Sequence, residues 1–188
     1  MLRLANLEQL EGMLLEAPAL VQKFEKREGD FLQSVGTWLL EAEEALTNNR
    51  LPAAAEIAAR RSEFIASQRG FSIGRPLPKR VSARKAREAH AADLLTRACN
   101  VLNTIVAPRR AQVDEAERMM MQIIAIADRM SLIRPSQNGE SHTSYLQMVF
   151  QTLYDRPELS SLTVRIIGIL GKTDTLVVLD RSIASTRQ

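Results

Sequence analysis

The stretch ARKAREAHAADLLTRACNVLNTIVAPRRAQVDEAERMMMQIIAIADRMS, Ala83 to Ser131, has no glycine and one proline, Pro108. Its apolar residues recur at spacings of three and four: Leu94, Ala98, Val101 and Ile105, then Val113, Ala116, Met120, Ile123, Ala127 and Met130. Side chains so spaced share one helix face, so the stretch predicts a single long helix over about 82–131. The step from Ile105 to Val113 is one residue longer than a heptad and contains Pro108, which predicts a local unwinding or kink there. If continuous, such a helix measures on the order of 75 Å at 1.5 Å per residue, a length typical of bundles and coiled coils.

The same periodicity runs back to the start of the chain. Leu7, Leu10, Leu14, Ala17, Val21 and Phe24 continue as Phe31, Val35, Trp38, Ala42 and Ala45, with Glu28 as the polar miss. Pro18 lacks a backbone donor, so the reading places a break there, with helices at about 4–16 and 19–48, or one kinked helix in the same register. TNNRLP, Thr47 to Pro52, is a turn, and the alanine-rich segment after it predicts a helix at about 52–69. Gly70, Gly74, Pro76 and Pro78 make 70–81 a loop, and Ser82 supplies an N-cap for the long helix.

RPSQNGES, Arg134 to Ser141, is a second loop, followed by a smaller helical unit at 141–188. Within it Gly171 ends one helix and Asp174 caps the next. Val164, Ile166, Ile167, Val177 and Val178 are β-branched, so a β-hairpin at about 162–180 is the alternative. The fold class expected is all-α: an elongated antiparallel bundle over residues 1–132 with a C-terminal helical unit.

Composition sets the wider bounds. In 188 residues the hydrophobic fraction is 45%, the charged fraction 25% and the aromatic fraction 4%. These are values of an ordinary globular chain with an aliphatic core. Cys99 is the only cysteine, which excludes an internal disulfide and a thiolate zinc cluster. Glu8, Glu11 and Glu16 interrupt the first apolar run, and no run reaches the roughly 20 residues that cross a bilayer. A cytoplasmic location without membrane contact is the expectation.

Charge is segregated. Residues 1–50 hold five bases and nine acids, whereas 69–110 hold ten bases and two acids. The candidate site for an anionic partner is therefore Arg69, Arg75, Lys79, Arg80, Arg84, Lys85 and Arg87. Cations in the first turn of a helix oppose its dipole by about 0.3–1 kcal/mol each, so an anionic neighbour is expected beside them. That neighbour is a phosphate backbone, an acidic protein, or the chain's own acidic helices around Glu41, Glu43 and Glu44; plain solvation of the loop is the fourth reading. Phe71 is the single aromatic available there for base stacking.

Readings as an enzyme fare poorly. Gly171-Lys172-Thr173 lacks the first glycine of a phosphate loop, since Ile166 stands at that position. His90 and His142 form no metal-ligand pattern; His90 and Asp93 can meet as a surface pair, and Cys99 reads as a small buried hydrophobe. No cofactor motif or catalytic constellation is present. Met119 and Met121 flank the long seam and are candidates for contact with a partner helix. The expected function is a non-catalytic interaction or assembly subunit, or adaptor, of a larger cytosolic complex, with self-association as one form of it. The alternative is a nucleic-acid-binding component that uses 69–87 on the phosphate backbone.

Overall fold

The computed structural model describes residues 2–70, 82–135 and 139–186. Among them are seven helices and no strand: α1 (Leu4–Glu25), α2 (Phe31–Asn48), α3 (Ala54–Gln68), α4 (Ala83–Arg129), α5 (His142–Asp155), α6 (Pro157–Leu170) and α7 (Lys172–Thr186). The fold class is all-α. The β-branched residues of 162–180 lie in α6 and α7, so the hairpin alternative is excluded; helical spacing of Leu159, Ile166 and Leu170 outweighs their strand propensity.

The chain divides into two compact units, an N-terminal one, Leu4–Pro108, and a C-terminal one, Arg109–Gln188. In the N-terminal unit α2 packs against both α1 and α3. Its core holds Leu4, Leu7 and Leu10 of α1, Phe31, Val35, Leu39 and Leu46 of α2, Ile57 and Phe64 of α3, and Leu94, Leu95 and Leu102 of α4. Gly36 lets α2 approach α3 closely: a Cβ there would stand 3.0 Å from a ring carbon of buried Phe64. In the C-terminal unit α5, α6 and α7 pack on one another, and the core draws on Val113, Met120, Ile123, Tyr145, Val149, Leu159, Ile166, Val178 and Leu179.

Three helix ends fall where the sequence lacks the usual glycine. After α1 the amide of Arg27 donates to Phe24 O (3.1 Å) and that of Glu28 to Lys23 O (2.9 Å). These paired bonds are a Schellman motif, and Arg27 occupies its left-handed position with φ 58°. Arg50 closes α2 in the same way, with Leu51 N–H donating to Leu46 O at 3.0 Å, and Ser131 closes α4.

The break expected at Pro18 accordingly falls at 26–30, and α1 runs through the proline. Pro18 is exposed, so water can reach the Leu14 carbonyl it leaves without a donor. One residue earlier, the Trp38 indole N–H donates to Met13 O at 3.0 Å and ties this turn of α1 to α2.

Pro108 likewise fails to interrupt α4, which is unbroken from Ala83 to Arg129. The expected seam through Val101 and Ile105 shifts by one residue: Ala98, Leu102, Val106, Arg109 and Val113 are buried, and Val101 and Ile105 only partly so. Steps of four, four, three and four residues average about 3.75 per turn, close to the 3.6 of an α-helix, so the buried face continues past Pro108. Exposed Thr104, whose carbonyl faces the missing proline N–H, lies within reach of water.

Candidate anionic-partner site

The seven cations singled out from sequence have different fates. Arg75, Lys79 and Arg80 lie outside the described residues. Arg69 is the exposed C-cap of α3, its backbone N–H shared between Ile65 O and Ala66 O at 3.2 Å each. Half-buried Arg87 reaches the α3 terminus, with Nη1 3.5 Å from Gln68 O, and so serves the α3–α4 contact.

Arg84 and Lys85 remain at the surface on the first turn of α4. Ser82 caps that turn, its Oγ accepting the Lys85 N–H at 3.3 Å. Arg84 donates from Nε to Oε1 of Glu88 at 2.6 Å, one turn along the helix, so its charge is offset locally. Lys85 has no ion pair among the described residues.

Both residues line a concavity of about 560 Å³ between the end of α1 and the start of α4. Its other walls are Phe24, Glu25, Arg27, Ser82 and Glu88. Phe24 is half-buried and held by Phe31, with ring centroids 5.3 Å apart at 45°. Arg27 is exposed, and it too has no ion pair among the described residues. Lys23, one turn back on α1, is already engaged, donating to Asp30 Oδ2 at 2.5 Å and to Ser34 Oγ at 3.0 Å.

Phe24, Glu25 and Arg27 were missed as site residues in sequence. The heptad reading carried the helix past them, because the left-handed cap is an arginine and not a glycine. The acidic helices do not neutralise the described cations of 69–87. Glu43 instead accepts from Arg61 of α3, at 2.5 Å to Nε and 3.4 Å to Nη2, and its carboxylate raises the guanidinium's pKa above the ordinary arginine value.

The remaining candidates carry little chemistry. Asp93 pairs with Arg97 at 2.7 Å, not with His90, whose Nε2 faces Glu63 of α3 at 3.5 Å, too far for a good hydrogen bond. Burial pushes the half-buried Cys99 thiol up to about 11, which leaves little thiolate near neutral pH. Gly171 ends α6 with φ 79°, its N–H donating to Ile167 O at 2.7 Å, and Lys172 and Thr173 open α7. Met119 is buried at 8% exposure, whereas Met121 is 57% exposed, so of the two only Met121 offers its side chain at the surface. Among the described residues no cluster of His, Cys, Asp and Glu could hold a metal ion, and no helix is long and apolar enough to cross a membrane.

Compared with known protein families, curated proteins and solved structures, the chain matches none.

Proposed function

We propose that the chain is a non-catalytic helical interaction subunit, or adaptor, of a larger cytosolic complex, and that it engages an anionic partner at the concavity between α1 and α4. The observation that carries this reading is the pair of exposed cations, Arg27 and Lys85, converging from two helices on one concavity without an ion-pair partner among the described residues. Lys85 opposes the α4 dipole from its first turn, an unfavourable arrangement that an external anion relieves. Exposed Met121 offers a further contact for a partner helix or for a second copy of the chain.

The alternative, a nucleic-acid-binding component, draws its support from the ten bases among residues 69–110. Affinity purification from the native cell, with and without nuclease, separates the two. Protein partners that persist after nuclease are expected. Co-purification of nucleic acid, with all partners lost on digestion, would replace the first reading with the second. A chain recovered alone, and monomeric by light scattering, would contradict both.

A further inference from the structure

We infer that the partner bound at the α1–α4 concavity is an acidic peptide segment carrying an apolar anchor, in preference to a nucleic-acid backbone. This rests on the proposed interaction function and specifies its ligand. Two features of the lining decide between the classes. The first is its charge: Arg27, Arg84 and Lys85 face Glu25 and Glu88, and the Arg84–Glu88 pair is already closed at 2.6 Å. What remains is two cations and one carboxylate. A polyanion with a charge on every nucleotide would gain two contacts and press its neighbouring phosphates toward Glu25. A peptide can place one or two carboxylates on Arg27 and Lys85 and keep uncharged residues beside the glutamates.

The second feature is the aromatic ring in the lining. The Phe24 ring is partly exposed yet fixed by its packing on buried Phe31, so an apolar side chain meets a preformed surface and little ordering cost is incurred. One aromatic ring suits a leucine-sized anchor better than a run of stacked bases, which needs successive platforms. A mixed site of this kind, with cations and an aromatic ring in one lining, is complementary to an amphipathic acidic segment.

The test uses the full chain and a fluorescent synthetic peptide with glutamates and aspartates interleaved with leucines. Companion probes are the same peptide with amides replacing the acids, the same peptide with serines replacing the leucines, and single-stranded and duplex oligonucleotides. Anisotropy titrations should show binding of the acidic leucine peptide, loss of about tenfold in affinity for either companion peptide, and a log–log salt slope of about 1 to 2. Arg27→Glu with Lys85→Glu should weaken it by about tenfold or more, whereas Arg156→Glu with Lys172→Glu, an equal change in net charge on other exposed residues, should leave it within about twofold.

All substituted positions are exposed, and circular dichroism confirms folding. Arg27→Gln with Lys85→Gln, which neutralises without reversing charge, should give an intermediate loss. Equal weakening by both charge-reversal pairs, or no peptide binding, would overturn the inference. So would an oligonucleotide that displaces the peptide with a slope of about 4 or more that the Arg27/Lys85 reversal flattens. If the peptide fails while nuclease-resistant protein partners still co-purify, the interaction function stands and only this ligand assignment falls.

Discussion

In the N-terminal unit α1 and α2 each stop on a left-handed arginine, Arg27 and Arg50, and the chain then uses residues 26–30 and 49–53 to turn. In the C-terminal unit Arg156 alone separates α5 from α6, and Gly171 alone separates α6 from α7. Both units tie elements together by surface pairs, Lys23 with Asp30 and Arg61 with Glu43 in the first, Arg165 with Glu115 and His142 with Asp180 in the second. The buried polar chemistry differs as well. The C-terminal unit buries hydroxyls that are satisfied within their own helices: Thr163 donates to Leu159 O, Thr175 to Gly171 O and Ser182 to Val178 O. The proposed anionic-partner surface lies in the first unit, where α1 ends.

The largest expected effect comes from the one arginine buried in the C-terminal unit among the described residues. Arg109 is 7% exposed and donates to Ile169 O at 2.8 Å and to Gln112 Oε1 at 3.0 Å. Burial pushes its guanidinium below the ordinary arginine value, and the charge of buried Asp174 opposes that shift. Arg109→Ala leaves Asp174 buried without this counter-charge and should cost about 3–5 kcal/mol in urea denaturation. Trp38, the only tryptophan, reports the N-terminal unit alone, so its emission transition should move less than the far-ultraviolet dichroism. Identical shifts of both probes would mean that the two units unfold as one.

Cys99 gives the N-terminal counterpart. With its thiol raised to about 11, alkylation at pH 8 should run on the order of 100-fold slower than for a free cysteine, gaining about tenfold per pH unit until the thiol titrates. Unfolding in urea should restore the ordinary rate, since the upward shift comes from burial. A rate at pH 8 equal to that of a free cysteine would show that α4 is not packed there as described.

Gly171→Ala should cost about 1–3 kcal/mol, because φ 79° with ψ 159° belongs to a region that only glycine occupies readily. The loss should again appear in the dichroism before the Trp38 signal. Arg50→Gly is the smallest and has the opposite sign. It relieves a left-handed side-chain residue, and the flexibility it adds to the unfolded chain offsets part of the gain, leaving about 0.5–1 kcal/mol of stabilisation. A rise of a few degrees in the melting temperature is expected.

The long helix was legible because its apolar spacing outweighs both Pro108 and the basic first turn, and Ser82 was legible as its cap. The end of α1 was not, since Arg27 in a Schellman cap leaves no glycine signature, and Pro18 is tolerated where its face meets water. Arg109 was hidden for a similar reason: a cation at a core position reads as surface until Ile169 and Asp174 are brought beside it. Of the site, Arg84 and Lys85 were visible as charge. Their coupling to Phe24 and Arg27 depends on α1 ending beside the start of α4, which no local pattern records.

Carbodiimide coupling on complexes purified from the native cell, followed by mass spectrometry, addresses the interaction surface most directly, because the reagent joins a lysine amine to a carboxylate in contact with it. The expected product is Lys85 linked to an aspartate or glutamate of another protein, retained after nuclease and lost in the Arg27→Glu variant. Lys85 found unlinked, or linked only to Glu25 or Glu88 of its own chain, while exposed Lys172 captures partners, would contradict the assignment of the α1–α4 concavity as the recognition site.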